Sequence, residues 1–109
     1  MANTFKNKVY SGSTTSADAI MNIYTAPSAT TTVVIGLTLA NTTTSQITAD
    51  IKLNAGQTVF LAKNIPIPAS SSFEYMAGNK IIMETGHTLS VASNTANSMD
   101  TVASIMEIT

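Results

Sequence analysis

Thr31-Thr32-Val33-Val34-Ile35-Gly36-Leu37-Thr38-Leu39-Ala40-Asn41 and, after three threonines, Ser45-Gln46-Ile47-Thr48-Ala49-Asp50-Ile51-Lys52-Leu53-Asn54 decide the fold. Val33, Ile35, Leu37 and Leu39 share one side of the first segment. Ile47, Ala49, Ile51 and Leu53 share one side of the second, with Thr48, Asp50 and Lys52 opposite. A pleated strand produces a period of two and a helix cannot. Between them Asn41-Thr42-Thr43-Thr44 is a polar connection whose side chains can bond their own backbone in a turn. The pair is expected to form a long central hairpin with one apolar face, which the rest of the chain covers.

Working outward, Phe5 and Val9 alternate with Lys6 and Lys8, as in a first strand or an arm, and lysines on an outer strand discourage edge pairing. Ser11 to Ala19 is a small-residue loop, expected to be mobile or ordered by a neighbour. Ile20 to Thr25 reads as a strand ended by Pro27. Asn54-Ala55-Gly56-Gln57 is a turn into a strand over 58–64, with Val59 and Leu61 on one face. Ile65-Pro66-Ile67-Pro68 belongs at an edge or in a crossover, because proline cannot donate to a ladder. Gly78-Asn79 signals a hairpin between strands near Phe73 and Ile81. Leu89 and Val91 point inward on the next strand. The last runs from Thr101 to Ile108, with Val102, Met106 and Ile108 on one face and Ile105 opposite.

Seven to nine short strands, turn signals every ~8–12 residues and no helical period indicate an all-β chain: a single antiparallel β-sandwich, either a jelly-roll or an Ig-like Greek key. The missing Trp argues against the immunoglobulin variant. Residues 1–19 are read as an N-terminal strand or extended arm with its loop, and residues 20–109 as the β-sandwich domain. A chain of 109 residues makes one domain with a two-layer core.

Composition narrows the chemistry. The 18 Thr, 12 Ser and 9 Asn make the polar surface mostly uncharged, and Thr favours a sheet. Five Lys, no Arg and a net charge of −1 do not suit a nucleic-acid partner, which needs clustered cations. So neutral a surface suits packing against neighbours. Without Cys there is no disulfide, thiolate nucleophile or thiolate metal site. Met1 to Lys6 lacks a signal-peptide core, and no apolar run approaches the ~20 residues that span a bilayer, so synthesis in the cytoplasm and no membrane partner are expected.

No catalytic, cofactor or metal residues are assigned, and no enzyme activity is expected. His87, the single histidine, follows Gly86 at a turn; Glu84 or Asp100 and one of many serines could be imagined beside it, but triads are recognised by geometry and no serine lies in a nucleophile elbow. The acids are scattered singly, without a calcium-loop spacing. Tyr10, Tyr24, Tyr75, Phe60 and Phe73 are assigned mostly to the core or its rim.

The succession Ile23-Tyr24-Thr25-Ala26-Pro27, Val33-Val34-Ile35-Gly36-Leu37-Thr38-Leu39-Ala40-Asn41, Leu61-Ala62-Lys63-Asn64-Ile65-Pro66-Ile67-Pro68-Ala69-Ser70-Ser71-Ser72, Lys80-Ile81-Ile82-Met83-Glu84-Thr85-Gly86-His87-Thr88-Leu89-Ser90-Val91 and Ser104-Ile105-Met106-Glu107-Ile108 resembles small virion structural proteins of tailed bacteriophages, especially those of aquatic bacteria such as cyanobacteria. The resemblance covers about residues 20–109. Those proteins often read Gly-Asp where this chain has Gly86-His87, which argues against a required carboxylate there. The resemblance implies a β-sandwich assembled in many copies in the virion, formed in the host cytoplasm. Its place would be as a capsid decoration (cement) protein on the major capsid protein, often a homotrimer, or as a tail, neck or fibre component. A receptor- or glycan-binding module is the alternative within that setting.

Overall fold

A hairpin of two long strands turns at Gly56. In the computed structural model, which describes residues 2–12, 15–75 and 80–109, β4 (Ile47–Asn54) turns through Ala55 to Gln57 into β5 (Thr58–Ile67). Gly56 supplies the positive φ of 88° that this turn requires. On either side of this hairpin the chain pairs with itself outward. β3 (Thr31–Asn41) pairs with β6 (Ser72–Glu74) and β7 (Ile81–Met83), β2 (Met21–Thr25) with β8 (Thr88–Ser93), and β1 (Asn3–Tyr10) with β9 (Met99–Ile108). Rolling this ribbon up adds the β3–β9 and β4–β8 pairings.

The outcome is two antiparallel sheets packed face to face: a first sheet ordered β1-β9-β3-β6 with β7 further along β3, and a second ordered β2-β8-β4-β5. With β6 and β7 counted as halves of one interrupted edge strand, this is the eight-position order of a jelly roll.

The expected central hairpin is therefore corrected. β3 lies in the first sheet and β4 in the second, and the connection between them is an arch across the core. Its polar residues behave as their chemistry suggests. Asn41 Oδ1 accepts from Thr43 N at 2.9 Å, and Asn41 Nδ2 donates to Ser45 O at 2.8 Å, Ile67 O at 3.0 Å and Pro68 O at 3.1 Å. Both sheets present an apolar face to one core, so a period of two does not distinguish a hairpin from an arch.

A bulge between Val34 and Gly36 corrects the inward set of β3. The buried residues are Thr32 and Val34, then Leu37, Leu39 and Asn41, whereas Val33 and Ile35 are only half-buried. On β4, Ile47, Ala49 and Ile51 are buried as the alternation indicates, and so are Leu89 and Val91 on β8. β9 splits its faces as the alternation indicates, and the burial shows which is inward: Met99, Ala103 and Ile105 enter the core, and Val102, Met106 and Ile108 face out. Val59 on β5 is exposed and does not cover the core. β5 continues to Ile67 with Pro66 in its ladder, which is tolerated because β5 is an edge strand.

The hairpin expected at Gly78-Asn79 falls outside the described residues. The strands it would join do not pair with each other among the described residues, since both lie along β3. Where β6 ends, the Glu74 carboxylate takes over the pairing by accepting from Leu37 N at 3.0 Å, and Tyr75 N donates to Leu37 O at 2.9 Å. The described part of the loop after β1 is tied down: Asp18 N donates to Ser93 O at 2.8 Å and Asn97 N to Thr15 O at 3.1 Å.

Candidate functional site

In an antiparallel pair, residues directly opposite each other share a face. The registers Phe5↔Met106, Met106↔Val33 and Val33↔Ile82 therefore lay four apolar side chains in a row across β1, β9, β3 and β7, on the outside of the first sheet. Two residues along the strands, Asn7, Ser104 and Gly36 form a low row. Two further on, Val9 and Val102 form a second apolar ridge. Phe5 is 72% exposed, Val9 68%, Ile82 56% and Val102 42%, so this surface has no cover among the described residues. Ile35, the extra residue of the bulge, joins Phe5, Lys6, Asn7, Ser104 and Ile105 around a shallow hollow of about 320 Å³. Lys6 and Lys8 alternate to the other side of β1, Lys6 reaching Glu107 while also bordering the hollow, and Glu74 ends the Val9–Val102–Thr38 row.

The outside of the second sheet is different in kind. Its cross-strand rows read Asn22, Ser90, Lys52, Phe60 and Thr25, Thr88, Asn54, Thr58. The Lys52 and Lys63 ammonium groups sit 5.1 and 4.8 Å from the centre of the Phe60 ring, within cation–π range. Asn22, Lys52, Asn54, Thr58, Thr88 and Ser90 line a groove of about 250 Å³. Among the described residues, the side chains of Asn22, Asn54, Thr58 and Ser90 make no hydrogen bond within the chain, so the groove presents free amide and hydroxyl groups.

A buried polar cluster joins the two sheets. Tyr24 of β2 donates its hydroxyl to Glu107 Oε2 of β9 at 2.5 Å and shares a hydrogen bond with Thr32 Oγ1 of β3 at 2.8 Å. Glu107 Oε1 pairs with Lys6 Nζ of β1 at 2.8 Å. Burial, then the bond to Glu107, pushes the Tyr24 phenol up to about 12. The Lys6 ammonium, then the Tyr24 hydroxyl, holds the Glu107 carboxyl below its ordinary range. Every charge and hydroxyl here has a partner, and the arrangement acts as a pin between layers.

His87 lies beside Glu84 in an open cleft of about 410 Å³ with Thr30, Thr31 and Thr85. The imidazole accepts the Glu84 backbone N–H at Nδ1, 3.1 Å away, and His87 N donates to Glu84 O at 3.0 Å, so the ring closes its own turn. Asp100 is elsewhere, its Oδ1 accepting from Gly12 N at 2.9 Å. Of the aromatics assigned to the core, Tyr24 is buried, while Phe60 lies on the outer face of the second sheet.

Neither outer face was visible as a surface in the sequence. Each is created by registers between strands far apart in the chain, and the one local signal was the uneven alternation of the last strand. No protein-family model matches this sequence, and no curated protein matches it.

Proposed function

We propose that this chain is a non-enzymatic structural protein of a tailed-bacteriophage virion, acting as a capsid decoration protein that stabilises the shell through many surface contacts. The observation that carries the reading is the inequality of its two outer faces: one is apolar and uncovered, the other hydroxyl- and amide-rich. Uncovered apolar surface on a small domain marks an interaction site, and binding to the assembled state adds stability by mass action. The resemblance to small virion proteins supplies the setting, and jelly rolls are common in capsid and lectin domains, although the fold by itself fixes no function. The partners would be the major capsid protein or other virion proteins together with further copies of this chain. Quantitative mass spectrometry of purified particles tests this. Hundreds of copies per particle support decoration, a number matching one sixfold or twelvefold ring places the protein in the tail or neck, and absence from the particles overturns the reading.

A receptor- or glycan-binding module on a tail or fibre is favoured by a different observation, the groove of unbonded Asn22, Asn54, Thr58 and Ser90 side chains. Saturable binding on a glycan array that is lost in Asn54→Ala supports that second reading, and an array without signal removes it.

A further inference from the structure

We infer that the outer face of the first sheet is closed by the same face of a second copy of this chain, in a two-fold pair of stacked sandwiches. The pairing rests on the assembly reading for its biological setting, but its physical basis is separate. Four features of the fold support it.

The first is relief. The ridge Phe5, Met106, Val33, Ile82 and the ridge Val9, Val102 flank a trough at Asn7, Ser104 and Gly36, open at its Asn7 and Ser104 end and closed at Gly36 by the Glu74 carboxylate, whose Oε1 lies 3.5 Å from where a Gly36 Cβ would stand. Successive rows on one face lie two residues apart, about 6.6 Å. The ridge of one copy can thus lie in the trough of the other, with the Phe5 ring entering the hollow bordered by Ile35.

The second is charge. The ionised groups on or beside this face are Glu74, which continues the Val9–Val102–Thr38 row, Asp100 one row further, and Lys6 at the rim of the hollow, and each already has a partner: Glu74 is bonded to Leu37 N and Thr38 Oγ1, Asp100 to Gly12 N and Lys6 to Glu107. Stacking two such faces covers only charges that already have partners within the chain. Docking the same face on the second sheet of another copy would instead bury Lys52 and the free amides of Asn22 and Asn54, which is unfavourable without new partners. The match is therefore like with like, a closed isologous contact in place of the threefold arrangement that the resemblance implies.

The third is the edge. Among the described residues β1 is the end strand of its sheet, with β9 as its one ladder partner, but Lys6 and Lys8 stand on that strand. Lysines oppose edge-to-edge addition, and the face has no such guard.

The fourth is size. Seven residues at ~3.3 Å and four strands at ~4.8 Å give a face roughly 20 Å by 19 Å. Side-chain relief included, two such faces bury roughly 1,000 Å² in total, the lower bound for a specific interface and consistent with a micromolar pair.

Sedimentation velocity on the full chain, up to about 1 mM, tests this in wild type, Phe5→Lys, Ile82→Lys and, as a control on the opposite face, Thr58→Lys. The expected result is a concentration-dependent dimer that weakens at least about tenfold in Phe5→Lys and in Ile82→Lys and is unchanged in Thr58→Lys, with melting of the dilute variants close to wild type. A monomer at the highest concentration, a trimer, or a dimer indifferent to both apolar-face changes overturns it. A monomer that binds purified particles through Phe5 also overturns the pairing while leaving the virion assignment standing. A dimer that is absent from particles upholds the pairing and removes the assignment.

Discussion

Tyr24 and Glu107, 83 residues apart, meet inside the sandwich at 2.5 Å and join one sheet to the other. The tyrosine side chain reaches from β2 across to β9, where Glu107 lies opposite Thr32, so one phenol touches two strands of the facing sheet. Tyr24→Phe keeps the ring but leaves Thr32 and Glu107 each short of a partner. It is expected to reduce stability by about 1–3 kcal/mol, read as a lower urea midpoint with an unchanged slope.

The same cluster sets two limits on the pH range of stability. Glu107 has a folded pKa below its ordinary value, so its contribution is complete above about pH 4.5 and is lost as the pH falls through the folded pKa. Tyr24 has a folded pKa near 12 against an ordinary 10.0, so its contribution is complete below pH 10.0 and is lost as the pH rises toward 12. Urea unfolding across pH should show Glu107→Gln flattening the acid limb and Tyr24→Phe flattening the alkaline one. Parallel curves for variants and wild type would refute this assignment.

What could be read from the sequence follows from which signals are local. Ile47, Ala49, Ile51, Leu89 and Val91 were legible because alternation within one strand fixes a face whatever the partner strand is. The pairing of β3 was not, because an arch and a hairpin show the same period. Val33 and Ile35 were misplaced because the bulge before Gly36 shifts the phase by one residue, and the alternation of the last strand separated Val102, Met106 and Ile108 from Ile105 without saying which side is inward, because an apolar outer face looks like a core face. The Phe5–Ile82 row and the Tyr24–Glu107 contact depend on the rolled-up registers, which no window of the chain contains.

Thr101 is 1% exposed, and its hydroxyl has no hydrogen-bond partner among the described residues. Its β-branched shape suits the strand, but the desolvated hydroxyl is a liability. Thr101→Val keeps the shape and removes the unpaired group, so a gain of about 1 kcal/mol is expected. For a domain of this size that raises the melting temperature by roughly 4–6 °C. A lower melting temperature would show that the hydroxyl finds a partner in solution.

Gly12 is buried where the chain leaves β1, and a Cβ built there would lie 1.9 Å from the Met99 carbonyl oxygen. Backbone on both sides must then separate, and the Gly12 N–H bond to Asp100 goes with it. Gly12→Ala is expected to be among the more damaging single changes, at about 2–4 kcal/mol. Gly56→Ala is a useful contrast: open space surrounds its Cβ and only the positive φ opposes it, for about 1 kcal/mol. Comparable losses from both would contradict the contact.

Asn41 offers the sharpest test of the arch between the sheets. The residue is 3% exposed, its two amide protons face three carbonyl oxygens, and its own oxygen receives the Thr43 backbone N–H and, at 2.7 Å, the Thr43 hydroxyl. Asn41→Asp preserves shape while turning the donor into a second acceptor against Ser45, Ile67 and Pro68. At neutral pH the carboxylate meets only carbonyl oxygens on that side, and a loss of about 3–5 kcal/mol is expected, the range for an uncompensated buried charge. Those carbonyls and the burial raise the folded pKa above the ordinary Asp value of about 3.9. Protonation restores one donor, so the deficit relative to wild type should shrink as the pH is lowered toward about 4. Asn41→Ala, which cannot titrate, should show a deficit that does not change over the same range. Equal pH profiles for the two variants would mean that the amide does not hold the arch closed.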